Sequence, residues 1–138
     1  MPIRHKNKTF ATFLAAFFGG FGLHRFYLRG ARDFAGWIHF ATVPMSLLWV
    51  LARPEQPVLF LAAPFILSGL VAIVEALVIG LESDEKWDEK YNPHSGRKSG
   101  SGWPLALILV LTFGAGAVAA IAVIARTFDL LFTGGAYG

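Results

Sequence analysis

The sequence contains no cysteine. Disulfide frameworks, thiolate nucleophiles and thiolate-bound metals are therefore excluded, and cysteine usage says nothing of redox compartment. Charge is scarce as well. Asp, Glu, Lys and Arg make up 15% of the 138 residues, against roughly 25% in soluble globular domains. Catalytic patterns are also missing. GGFG at 19–22 has neither the lysine nor the strand context of a phosphate loop. No histidine pair has the i, i+4 spacing of a helical metal site, and no base lies near a serine or threonine that could make it a nucleophile. Asp84, Glu85, Asp88 and Glu89 put carboxylates four apart, a pattern that could hold Ca²⁺, but the interleaved Lys86 and Lys90 favour a solvated helix. The reading is no enzyme, no cofactor and no metal.

What is present is apolar sequence. Hydrophobic residues make up 55% of the chain and concentrate in four segments, 10–23, 34–52, 57–81 and 103–125, of 14, 19, 25 and 23 residues. About 20 residues cross a bilayer at ~1.5 Å per residue. The last three segments qualify. The first would have to continue through His24 and Arg25 to about Leu28. Arg4, Lys6 and Lys8 ahead of it also fit a signal peptide, but cleavage at Gly20-Phe21-Gly22 would discard a helix that Gly19-Gly20 is suited to pack. The expected fold is all-α: a helical integral membrane protein of about four apolar helices, with a tight hairpin where Arg53–Gln56 joins segments two and three. Net charge is +3, but the basic residues are dispersed beside apolar runs, which points to juxtamembrane charge and not to nucleic acid.

The organisation expected is a basic segment at 1–9, a membrane domain at 10–92, a flexible linker at 93–102, an additional membrane helix at 103–132 and a frayed tail at 133–138. Residues 82–91 read as the third helix emerging into water. Trp37, Trp49 and Trp103 fall near segment ends, as interfacial tryptophans do. With four spans, Arg25, Arg29, Arg32, Lys86, Lys90, Arg97 and Lys98 share one face and Arg4, Lys6, Lys8, Arg53 and Arg126 the other. Seven against five makes the first face cytoplasmic by a narrow margin.

Small residues four apart let helices approach closely in lipid. Ser68, Ala72, Ala76 and Gly80 form one such stripe, Ala11, Ala15 and Gly19 a second, and Thr112, Gly116 and Ala120 a third. Two ionisable residues, His39 and Glu75, lie inside apolar segments at matching depths, and the loop carrying His24 and Arg25 enters on the same side. An unpaired charge there is costly, so partners are expected. A polar lock between helices, an ion or proton pathway, and a metal site are the possible uses, in that order of preference.

The junction GGFGLHRFYLRG resembles the two-transmembrane (TM-two) domain family, whose bacterial members typically read G-x-G-x-H-R-F-Y-L-G there. Gly20, Gly22, His24, Arg25, Phe26, Tyr27 and Leu28 match, with Gly19 preceding and Gly30 one residue late. Glu75 is similar to an acidic residue near the end of that family's second helix, so the resemblance covers about residues 6–81. An extra apolar stretch at 41–64 expands the second span into a hairpin, and 103–132 lies outside. The resemblance implies an integral protein of the bacterial inner membrane with no established enzyme activity. The animal relatives have Asp-Arg-Phe where His24 begins this motif, so no signalling role is carried over. The functional expectation is a structural or partner-interaction role in the lipid bilayer, with a membrane-protein partner or a homo-oligomer. The alternative is a small oligomeric ion or proton transporter using Glu75 and His39.

Overall fold

The structure, a computed structural model, describes residues 5–137. Arg4, counted above among the N-terminal charges, and Gly138 lie outside the described residues, among which helix is the sole regular structure. Helix α1 (Lys8–Phe18) begins where the Asn7 side chain accepts from the Phe10 amide at 2.9 Å, an N-cap. It does not run on to Leu28. After Phe18 the chain tightens into a single 3₁₀ turn, Gly19–Phe21, and reverses at Gly22, whose φ of 75° is left-handed. Helix α2 (Leu23–Arg29) then returns along α1. The Asn7 amide donates to the Tyr27 hydroxyl at 2.9 Å, Lys6 Nζ donates to the Leu28 carbonyl, and the Phe10 and Tyr27 rings meet at 5.1 Å. The first apolar segment is thus a helical hairpin with both ends on one face.

Three helices are long and apolar enough to cross a membrane: α3 (Phe34–Ala52), α5 (Ala63–Leu81) and α7 (Trp103–Thr133). The apolar run at 57–81 is divided, with a short α4 (Val58–Leu61) ahead of α5. Pro64 in the first turn of α5 lacks the amide that would continue the preceding helix. The 14 residues of Lys8–Phe21 would cover only about 22 Å, short of ~30 Å of hydrocarbon.

Helix α5 is the centre of the bundle. Ser68, Ala72, Ala76 and Gly80 are all buried, as are Ala11, Thr12, Ala15 and Gly19 of the first segment and Thr112 and Gly116 of α7. A Cβ at Gly19 would strike Ala72, one at Gly80 would meet Thr12 and Leu109, and one at Gly116 would come within 2.5 Å of Ile73. Helices α1 and α7 therefore both lie antiparallel to α5. The hairpin tip stops at Gly20, whose Cβ would lie 3.7 Å from Gly69. Gly69 is twelve residues before Leu81, so the tip reaches about 18 Å down α5, and the Phe21 ring extends beyond it to meet that of Phe65 at 5.4 Å.

This re-entry corrects the expected topology. Lys6 and Lys8 do not lie opposite residues 82–102. The Lys6 amide donates to Asn92 Oδ1 at 2.7 Å, and Lys8 Nζ donates to the Glu82 carbonyl at 2.8 Å and pairs with Asp84. Nine of the eleven described Lys and Arg residues consequently sit on the N-terminal face, leaving Arg53 and Arg126 on the other. Residues 82–91 differ too. Glu82 and Ser83 are extended, and the Ser83 hydroxyl caps a separate helix, α6 (Asp84–Tyr91). Its Trp87 is fully buried, donating through Nε1 to the Lys6 carbonyl at 3.0 Å.

The segment between α6 and α7 has no regular structure, yet its serines are tied down. Ser99 donates through its amide and hydroxyl to Asp88 at 2.7 and 2.6 Å, and Ser101 does the same to Asp84 at the same distances. At the C-terminus, the Gly135 amide likewise bonds the Asp129 carbonyl at 3.2 Å. The Lys8 ammonium, then the Ser101 hydroxyl, holds the Asp84 carboxyl below its ordinary range. The Asn92 amide, then Ser99, lowers that of Asp88 to about 2. A depressed carboxyl pKa stabilises the closed segment above the ordinary value and releases it as pH falls through the folded one. A nitroxide on Gly100→Cys should stay immobile at neutral pH and gain mobility between pH 3.8 and about 2. Unchanged mobility down to pH 2 would show that the aspartates do not hold the segment.

Candidate functional site

The polar groups singled out in the apolar sequence converge on one carboxylate. Glu75 lies on α5 six residues before its end. His24 Nε2 is 2.8 Å from Glu75 Oε2, His39 Nε2 is 3.2 Å from the same oxygen, and Arg25 Nη2 donates to Oε1. These groups come from three elements. The reversal at Gly22 starts α2 so that His24 and Arg25 enter the bundle side by side, while α3 presents His39 from across the hairpin. The His24 and His39 rings meet edge to face at 5.8 Å.

Asp33 aligns the second element. Its carboxylate caps α3 by accepting from the Gly36 amide at 2.8 Å and lies 3.6 Å from Arg25 Nη1 and 3.7 Å from Arg29 Nη1. Arg25 is thereby held between two carboxylates, one at the start of α3 and one within α5. Sequence reading assigned Asp33 nothing. Its position one residue before an apolar run was the available signal, an N-cap pattern.

A second chain of bonds reaches the hairpin tip. His39 Nδ1 lies 2.7 Å from Ser68 Oγ, and Ser68 Oγ donates to the Gly20 carbonyl at 2.8 Å. A hydroxyl has one proton. While Ser68 gives it to Gly20, Ser68 can only accept from His39, so Nδ1 carries hydrogen. His24 is 1% exposed, and its Nδ1 has no hydrogen-bond partner among the described residues. The tautomer with hydrogen on Nε2 fits this, because it donates to Glu75 and leaves only a lone pair unmatched.

The remaining motif residues pack the turn. Gly22 abuts the backbone of Gly36, where a Cβ would come within 2.5 Å of the carbonyl oxygen. Phe26 lies against Gly36 and meets the Trp37 ring at 5.3 Å, Tyr27 bonds the Asn7 amide, and Leu28 is buried. Among the described residues no group of three or more His, Asp or Glu is arranged to hold a metal ion. A groove of about 180 Å³ beside Glu75 opens toward Arg29, Val78 and Lys90.

The TM2 domain family matches residues 4–53. That stretch contains α1, the turn, α2 and α3, so α5 with Glu75 lies beyond it and the match ends well before residue 81. The chain is 31% identical over 93 residues to the uncharacterized membrane protein YozV of Bacillus subtilis (strain 168), covering 65% of this chain and 86% of that protein. No solved structure matches. Three apolar helices of spanning length, a junction of the family's pattern and this relative agree: the chain belongs to the TM2 domain family of membrane proteins.

Proposed function

We propose that the chain is a small structural and partner-interaction protein of the bacterial cytoplasmic membrane, in which Glu75 clamps the family's turn against the bundle. One observation carries the reading: both oxygens of Glu75 are occupied, Oε1 by Arg25 and Oε2 by His24, with His39 Nε2 3.2 Å from Oε2. A carboxylate fully engaged by side chains suits a fastener more than a carrier. The polar chain from Glu75 through His39 and Ser68 also ends at the Gly20 carbonyl, with apolar Phe65, Ile66 and Val123 around the tip. The N-terminal face carries nine described cationic residues to the other's two, which favours that face as cytoplasmic.

Arg25→Ala tests the clamp. It should leave insertion intact, because the apolar spans are untouched, and lower the melting temperature in detergent. Arg25→Lys should restore only part of the loss, since lysine cannot reach two carboxylates with a planar fork. An undiminished melting temperature together with lost capture of a membrane partner would make the turn an exposed docking site instead.

Transport is the competing reading, favoured by the continuous contact of Glu75, His39 and Ser68. Proteoliposomes holding the wild-type chain should conduct protons no faster than empty ones. Flux that disappears on Glu75→Ala would establish transport and overturn the clamp as the purpose of the cluster.

A further inference from the structure

We propose that the groove beside Glu75 binds one anionic phospholipid, with the lipid phosphate held between Arg29 and Lys90 and an acyl chain lying along α5. The wall of the groove is aliphatic, formed by Leu28 of α2 and by Val74, Val78 and Ile79 of α5. Arg29, the last residue of α2, and Lys90 of α6 stand at its mouth on the N-terminal face. Val78 is three residues before Leu81 and Val74 seven, so the aliphatic wall runs from about 4.5 Å to about 10 Å inside the end of α5. Cations at the mouth and hydrocarbon below is the order in which a phospholipid carries its phosphate and its chains, and basic pockets between membrane helices take anionic head groups.

A volume of about 180 Å³ suits the head-group phosphate and not the chains. The chains have their own track. Leu67, Val71, Val74, Val78 and Leu81 recur at steps of four and three on one face of α5, and each is at least half exposed. Val74 and Val78 belong to both groove and track, so the two are continuous.

The charge at the mouth selects the head group. The side chains of Arg29 and Lys90 are about half exposed, whereas those of Asp33, Glu75 and Glu82 are at most 23% exposed. Asp33 accepts from the Gly36 amide, and Glu75 is engaged by Arg25 and His24. Arg29 lies 3.7 Å from Asp33 and Lys90 3.7 Å from Glu82, both beyond hydrogen-bonding distance, so both heads keep donors for a phosphate oxygen. The Tyr91 ring, its centroid 5.0 Å from the Lys90 ammonium, supports that head at the groove. A zwitterionic lipid would bring a quaternary ammonium against the same cations. A second copy of the chain is disfavoured likewise, because twofold pairing through the track would set these cations against their equals.

The test is native mass spectrometry of the full chain released from neutral detergent, titrated with phosphatidylglycerol or phosphatidylcholine of identical acyl chains. The first phosphatidylglycerol should bind at least about fivefold more tightly than phosphatidylcholine. Arg29→Gln and Lys90→Gln should each weaken it about fivefold, the worth of one basic residue near an anionic surface, and leave phosphatidylcholine unchanged. Arg53→Gln, on the opposite face, should change neither. Val78→Trp narrows the groove without touching a charge and should also weaken phosphatidylglycerol. All four variants alter exposed side chains, and melting in lipid-free detergent verifies that they fold. Equal binding of the two lipids, or a phosphatidylglycerol preference that survives Arg29→Gln and Lys90→Gln together, would overturn the site. Competition by millimolar glycerol phosphate would make it a site for a soluble phosphate instead. A dimer lost with Val78→Trp and indifferent to phosphatidylglycerol would assign the track to a second copy and overturn it too.

Discussion

Glu75→Leu is expected to lower the unfolding free energy in detergent by about 2–3 kcal/mol. Removing one partner of a buried charge cluster typically costs about 3–5 kcal/mol because the others are left uncompensated. The Glu75 side chain is 18% exposed and that of Arg25 24%, so solvent relieves part of this penalty. The loss falls on two stranded donors, Arg25 and His24, with His39 Nε2 beside them at 3.2 Å from Oε2. Adding His39→Leu to Glu75→Leu should cost less than the two single losses combined, since the two side chains are in contact and share one polar cluster. Thermal melting of the four proteins in one detergent measures this directly. Simple additivity within about 0.3 kcal/mol would mean that the contact at 3.2 Å carries no coupling.

Gly22→Val should be the most damaging single change in the turn, at about 3 kcal/mol or more. A β-branched residue at a φ of 75° suffers the left-handed penalty of roughly 1–2 kcal/mol. Its Cβ would in addition lie 2.5 Å from the Gly36 carbonyl oxygen, a backbone atom that cannot rotate away. Relief requires α3 to move, and α3 carries His39. Gly114→Ala is the matched control. It sits within α7 with nothing within 4 Å of the new Cβ, so it should be neutral or gain up to about 1 kcal/mol of helix propensity. If both substitutions melt alike, the turn is not set by the close approach of Gly22 to Gly36.

The helical membrane class and its helices were legible because lipid leaves so few solutions. Runs of apolar residues identify the spans, and the stripe Ser68, Ala72, Ala76 and Gly80 identifies the packed face of α5 by spacing alone. The convergence on Glu75 was also accessible, since polar groups in an apolar segment require partners. The path of the first segment was not. Its fourteen residues allowed either a short span extended through His24 or a reversal, and the choice depends on Gly22 adopting a positive φ against Gly36, a contact between distant elements. The same error displaced Lys6 and Lys8 to the wrong face. The burial of Trp87 was hidden for a related reason: α6 is polar along most of its length, and Trp87 is covered only once the N-terminal segment folds over it. The serines of 93–102 read as flexible composition because nothing local reveals that Asp84 and Asp88 accept from them.

The re-entrant path of the first segment is tested most directly by sidedness, and the absence of cysteine leaves no background for thiol labelling. Single cysteines placed ahead of Met1, at Ala31→Cys, at Gly100→Cys and at Gln56→Cys would be treated in oriented membrane vesicles with an impermeant maleimide. The first three should react from one side and Gln56→Cys from the other. A cysteine ahead of Met1 that reacts together with Gln56→Cys, opposite Gly100→Cys, would show that the first segment crosses the membrane and would contradict the account.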